Sequence, residues 1–112
     1  MSADPNKLFD TKFIDAVSMS TDITSSSYDI GEVQGYSAQA VWTAGGAPVG
    51  NFVLRGSNNG TDFTDIGSYN VAGNTGSILV NVEFARYAYL QCFYQRTSGT
   101  GTLTVQVNGA RN

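Results

Sequence analysis

The chain has 112 residues, a formal net charge of −3 and a hydrophobic fraction of 41%, which together fit one globular domain with a single core. Only 13% of the residues are charged, about half the usual share, so surface polarity must come from serine, threonine and asparagine instead. The six lysines and arginines are scattered along the chain, which argues against the basic stripe that nucleic acids and anionic membranes require.

The first segment, residues 1–11, predicts an extended arm. Pro5 interrupts regular structure there, and only Leu8 and Phe9 offer apolar groups that could dock. We therefore expect an arm followed by a single domain over residues 12–112, with Leu8 and Phe9 as candidate interface residues. The polar N-terminus also lacks the apolar core of a signal peptide, which predicts folding in the cytoplasm.

Alternation of apolar and polar residues predicts the next elements. Residues 12–20 alternate in this way, 21–27 form a hydroxyl-rich loop, and 28–31 begin a short strand. Residues 33–43 predict a strand with two distinct faces. One face is Tyr36, Ala38, Ala40 and Trp42, and the other is Ser37, Gln39, Val41 and Thr43.

The middle of the chain predicts a connector and a hairpin. Residues 44–50, AGGAPVG, have the composition of a connector, and the strand after it ends near the pair Asn59-Gly60. Asn-Gly is the strongest signal for a short hairpin because both residues tolerate a positive φ. Residues 61–71 are then the returning strand.

The last third of the chain predicts three further strands. Residues 72–76 form a turn, and the strand that follows has alternating apolar residues, with Leu79 as an exception to the alternation. Residues 86–96 are apolar on both faces, as expected of a central strand. Residues 98–101, SGTG, predict a turn before the regular alternation of 102–108. About eight short strands with frequent turns predict an all-β fold, an antiparallel β-sandwich or jelly roll.

The sequence contains no constellation of residues that predicts catalysis. It has no histidine, and its single cysteine, Cys92, lies in an apolar run typical of a core. Asp62 and Asp65 are three apart, so in a strand they point to opposite faces, which disfavours a pair of catalytic carboxylates. We expect no catalytic residue, no metal ligand and no cofactor. Most aromatic residues should fill the core, while Tyr28 and Tyr69, which flank polar loops, are candidate interface residues.

Three segments carry a family resemblance: GYSAQAVWTAG, GNFVLRGSNNGTDFTDIG and FARYAYLQCFYQRTSGTGTLTVQVNG. Together they resemble small β-sandwich virion proteins of tailed bacteriophages, of the capsid decoration or cement type. The SNNGTDF and ARYAYLQ segments are also similar to discoidin-type sugar- or lipid-binding domains, although the long N-terminal binding loops of that family are missing.

The phage resemblance implies a non-enzymatic structural protein that binds the capsid exterior and stabilises the head. Its partners would be the major capsid protein, copies of itself, or both, and it would be located in the virion after assembly in the host cytoplasm. The low charge density agrees with this, because uncharged polar groups cost less to bury than ions. The alternative is a carbohydrate- or receptor-binding module of a tail or fibre, with a host-surface glycan as its ligand.

Overall fold

The computed structural model describes the backbone of residues 7–31, 33–83 and 85–110, and the side chains of all of these except 7–9 and 44. Every regular element in these ranges is a β-strand, and all pairing is antiparallel, so the fold is all-β as predicted. No helix able to cross a bilayer occurs in the same ranges. The strands are β1 (Lys7–Ser18), β2 (Ile23–Thr24), β3 (Tyr28–Asp29), β4 (Gly35–Ser57), β5 (Thr64–Val71), β6 (Gly76–Val82) and β7 (Tyr89–Ala110).

Two long strands, β4 and β7, run side by side and each takes part in both layers of the fold. The first part of β4 pairs with β6, and the last part of β7 pairs with β1. The last part of β4 pairs with β5, and the first part of β7 pairs with β2 and β3. The first layer therefore has the order β1-β7-β4-β6, and the second layer has β2 and β3 beside β7, then β4 and β5.

The segments predicted as a connector at 44–50 and a turn at 98–101 are not chain reversals. β4 and β7 continue through them, although their pairing shifts register there three times. Ala47 and Gly99 have positive φ values of 50° and 75° at these irregularities. Bulges and glycine bends let a strand pass from one layer to the other. Such a bend needs the same residue types as a turn, so the composition of the two segments resembles that of a turn.

The two layers close on a common core. The largest fully buried side chains include Leu103 and Val105 from the first layer and Phe52, Leu90 and Tyr94 from the second. The Cα atoms extend 39 × 38 × 18 Å, and the short dimension suits two layers about 10 Å apart. The fold is thus a β-sandwich made by one sheet that curls over at the bends in β4 and β7.

The start of the chain departs from simple alternation. Phe13 and Ile14 are adjacent and both buried, because β1 contains register shifts on either side of Ile14 and a positive φ of 52° at Ala16. Residues 7–11 of the predicted arm belong to β1 and pair with the end of β7, while residues 1–6 lie outside the described part of the chain. The boundary between arm and domain stays a prediction.

Candidate functional site

In the first layer, the outer faces of β4, β6 and the end of β7 form a broad surface without charged side chains. Its members come from β4, β6 and β7, and they are serine, threonine, asparagine and glutamine with one valine and one leucine. We call this surface the uncharged face. It consists of Ser37, Gln39, Val41, Thr43, Ser77, Leu79, Asn81, Thr102, Thr104, Gln106 and Asn108.

Strand register sets the uncharged face out in rows. Gln39 on β4 lies between Leu79 on β6 and Gln106 on β7. Its neighbours along the strand, Ala38 and Ala40, point into the core and are fully buried, so Gln39 must point outwards. The predicted two-faced strand over 33–43 is confirmed. Leu79 is not an exception to the alternation: it belongs to the outer face and is 69% exposed.

Beside the uncharged face, charge occurs on β1. The Gln106 amide Nε2 donates a hydrogen bond of 2.6 Å to the Asp10 carboxylate. Lys12 Nζ lies 3.8 Å from an Asp15 carboxylate oxygen, and both side chains are largely exposed. A partner that covers β4, β6 and the end of β7 but not β1 would therefore contact no charged side chain.

The outer face of the second layer has a different character. Arg55 Nε donates a hydrogen bond of 2.9 Å to Asp65 Oδ1. The guanidinium carbon of Arg55 also lies 4.0 Å from the centroid of the Phe93 ring. Ions and an aromatic ring therefore occupy this layer, so the two outer faces of the sandwich offer chemically different surfaces.

A cleft of about 240 Å³ opens beside the loop that joins β4 to β5. Tyr87, Asp62 and Asn58 line it with an aromatic ring, a carboxylate and an amide, and Ile66 adds an exposed apolar side chain. This combination of a ring with nearby hydrogen-bonding groups is the one expected of a sugar site. The sequence prediction did not select Tyr87, because it lies in the loop before β7 and no alternation marks its exposure.

The Tyr87 ring is held in place from two sides. Its hydroxyl shares a hydrogen bond of 2.6 Å with the hydroxyl of Tyr36, and the two rings meet edge to face at 6.4 Å. Burial raises the pKa of both phenols. The ring also lies against Gly56, where a Cβ atom would come within 2.9 Å of it. Glycine at this position thus allows the aromatic wall of the cleft to pack closely on β4.

The predicted hairpin around Asn59-Gly60 forms, since β4 and β5 pair antiparallel, but its loop has six residues and the returning strand begins at Thr64 rather than at residue 61. Side chains close this loop. Ser57 Oγ accepts hydrogen bonds from the amides of Asn59 and Gly60 at 3.2 and 3.0 Å. Asn59 Oδ1 accepts from the amides of Thr61 and Asp62, both at 2.9 Å. Local side-chain bonds to the backbone therefore outweigh the Asn-Gly preference for a two-residue turn.

Of the four predicted interface residues, Tyr28 and Tyr69 have described side chains, and these two are not brought together. Tyr28 is half-buried in β3, and its ring lies 4.1 Å from that of Phe13. Tyr69 is half-buried in β5, at the other edge of the second layer, with its ring 6.3 Å from Phe52. The side chains of Leu8 and Phe9 lie outside the described residues. An interface role for any of the four stays a prediction.

The acidic residues within the described ranges serve local structure. Asp62 accepts a hydrogen bond from the Asn59 amide group at 3.0 Å, and Asp65 binds Arg55. Asp22 accepts from the backbone amide of Arg96 at 2.8 Å. No three histidine, cysteine or acidic residues meet in a group that could hold a metal ion in this part of the chain.

No protein-family model matches the chain, and no curated protein sequence matches it. Solved structures do match its fold. The SPBc2 prophage-derived protein YomS has a TM-score of 0.68 at 12% identity, and the match covers 99% of this chain and 98% of YomS. The PBSX exported protein XepA has a TM-score of 0.63 at 13% identity, over 93% of this chain and 37% of XepA.

A carbohydrate-binding structure is similar at a lower level. The CBM22-1 xylan-binding domain of Paenibacillus barcinonensis Xyn10C has a TM-score of 0.51 at 9% identity, over 99% of both chains. At these identities the comparisons establish the fold, which is that of a small β-sandwich protein.

Proposed function

We propose that the chain is a non-enzymatic virion structural protein that decorates the capsid exterior and stabilises the head, with the uncharged face as its contact surface. The observation that carries the proposal is the match to YomS, because it extends over nearly the whole of both chains and YomS is prophage-derived. The uncharged face supplies the surface that such a role needs.

The size of the uncharged face suggests how it would act. Three strands about 4.8 Å apart and seven residues about 3.4 Å apart cover roughly 14 by 24 Å, or about 340 Å². A standard interface buries about 800 Å² on each partner, so one such contact alone is weak. If copies of the chain are linked to one another, many weak contacts with a capsid lattice form together and add up through avidity. Because the face contains no ion, each contact forms without the desolvation penalty of a buried charge.

Two experiments test the decoration role. Mass spectrometry of purified phage particles from the genome that encodes the chain should detect it at a copy number that scales with the capsid. Particles that lack it should rebind the purified protein and gain resistance to heat or chelator. Absence from the particles, or particles that neither bind nor are stabilised, would rule the role out.

A matched pair of variants locates the contact surface. Gln39→Lys places an ammonium group in the middle of the uncharged face, and Gln95→Lys places the same group on the outer face of the second layer. Burying an unpaired charge costs several kcal/mol before relaxation, so we expect Gln39→Lys to weaken particle binding at least tenfold. Gln95→Lys should bind like the wild type, and equal effects of the two variants would contradict the assignment of the face.

The second candidate function is binding of a carbohydrate or glycan receptor in the cleft beside Tyr87. The arrangement of a fixed ring next to Asp62 and Asn58 favours it, and the likeness to a xylan-binding domain supports it. A glycan array should then give defined hits that Asn58→Ala weakens. An array without hits would remove this candidate and leave the decoration role unaffected.

A further inference from the structure

The three long edge strands of the sandwich differ in how regular they are. β1 contains three register shifts and the residues Lys12 and Asp15, and β5 contains a register shift and Asp65. β6, in contrast, pairs with β4 over seven consecutive residues without a shift, from Gly76 to Val82. Its sequence, GSILVNV, has no charge and no proline. Bulges and charges are the usual means of preventing edge-to-edge pairing, and β6 has neither.

Within the described residues, β4 is the one strand that pairs with β6, so its second edge presents a row of backbone donors and acceptors. Such an edge is a template for another strand. The middle of β6 is Leu79, whose side chain is 69% exposed. Exposure of an apolar side chain to water is unfavourable, so an apolar group that covers Leu79 would lower the free energy.

The sequence of β6 is complementary to itself when two copies run antiparallel about Leu79. In that register Leu79 lies opposite Leu79 of the second copy, and on the same face Ser77 lies opposite Asn81, which allows a hydrogen bond. On the inner face Ile78 lies opposite Val80, an apolar pair. No charge opposes a like charge, which would destabilise a cross-strand pair.

We infer that two copies of this chain associate through β6, with a two-fold axis at Leu79. The two first layers then form one continuous sheet of eight strands, in the order β1-β7-β4-β6 and its reverse. Two residues exchange both backbone hydrogen bonds at every second position, so the pairing forms about six to eight of them. A two-fold contact of this kind uses the same patch on both copies and closes without forming a fibre.

The dimer also changes the size of the uncharged face. Because β6 borders that face, pairing joins the faces of the two copies into one surface of roughly 680 Å², close to the share of one partner in a standard interface. The dimer itself does not depend on the proposed capsid role, so the two can be tested separately.

The oligomeric state of the purified chain is the first test, measured by sedimentation velocity or by light scattering on a sizing column. We expect a dimer for the wild type. Leu79→Lys brings two ammonium groups face to face across the axis and should raise the dimer dissociation constant at least tenfold. Gln39→Lys is the control, because it adds the same charge to the same face one strand further in, and it should remain dimeric. A wild-type monomer at all concentrations up to about 100 µM would overturn the inference.

Disulfide trapping tests the register. Antiparallel partners have Cα separations of about 4.5 to 5.5 Å, inside the range that a disulfide bridges, so Leu79→Cys should cross-link to itself under mild oxidation. Ser77→Cys alone should not, since the two copies of residue 77 are then about 14 Å apart, yet it should cross-link when mixed with Asn81→Cys. The native Cys92 is buried and does not compete. Self-linkage of Ser77→Cys, or none of Leu79→Cys, would exclude this pairing.

The two proposals fail in different ways. A dimer whose Gln39→Lys variant still binds particles as the wild type does would refute the contact surface and leave the β6 pairing intact. A wild-type monomer that binds particles would refute the pairing and leave the decoration role intact.

Discussion

The hydrogen bond between the hydroxyls of Tyr36 and Tyr87 predicts that removing one hydroxyl costs more stability than removing the other. The Tyr36 side chain is 3% exposed, whereas Tyr87 is half-buried and borders the open cleft. Tyr87→Phe leaves the Tyr36 hydroxyl buried without its partner, which costs about 1–3 kcal/mol. Tyr36→Phe leaves the hydroxyl of the half-buried Tyr87 without its partner, and because Tyr87 is less buried than Tyr36 we expect a smaller cost of about 0.5–1.5 kcal/mol.

Urea unfolding followed through the single tryptophan, Trp42, measures these differences. The midpoint should shift at a constant slope if only the folded contacts change. The double variant removes both hydroxyls and should be more stable than Tyr87→Phe alone, because no buried hydroxyl then lacks a partner. The reasoning is refuted if Tyr36→Phe proves the more costly change, or if the two single costs simply add in the double variant.

The same pair predicts how stability changes at alkaline pH. Burial, followed by the hydrogen bond to Tyr87, raises the pKa of Tyr36 above its usual value of 10. Above about pH 10 the unfolded chain releases this proton while the folded chain retains it, so the free energy of unfolding falls by about 1.4 kcal/mol per pH unit for this residue. When the free energy of unfolding is measured in urea at several pH values, Tyr36→Phe should lose stability less steeply than the wild type between about pH 10 and 11. Parallel curves for the two proteins would contradict the predicted shift.

Three further predictions concern positions where the structure separates similar residues. Gly99→Ala, at φ 75° and against a backbone carbonyl of β4, should cost more than about 2 kcal/mol, whereas Gly73→Ala, at φ 90° in open space, should cost about 1 kcal/mol; equal costs in urea would count against the packed bend. Leu103→Ala should lower the free energy of unfolding by about 2–5 kcal/mol because the residue is fully buried, whereas Leu79→Ala should change that of the monomer by no more than about 0.5 kcal/mol. A reversed order would mean that the core is misassigned. Burial raises the pKa of Cys92, so a thiol reagent should modify it quickly in denaturant and slowly in the native protein, and rapid native modification would argue for an open core.

Much of the fold could be predicted from the sequence because a half-buried strand alternates apolar and polar residues. The segment with Tyr36 to Thr43 is the clearest case, since the predicted faces are the observed inner and outer faces. The prediction failed where local composition has two meanings. The AGGAPVG segment looks like a connector, yet it is the bend at which β4 passes between layers. Glycine and proline permit either outcome, and only the pairing partner decides between them.

The candidate surfaces could be predicted from the sequence less well than the strands, because they depend more on tertiary structure. Alternation by itself determined that Ser37, Gln39 and Val41 lie on the face of β4 opposite the core, and composition determined that such a surface would have few charges. Only the strand order decided that β6 and β7 lie on either side of β4 and so extend that surface to three strands. It also decided that Leu79 lies at an open edge and that Tyr87 lines a cleft. These features arise from pairing between residues distant in the chain, and the periodicity of a single strand carries no information about which strand lies next to it.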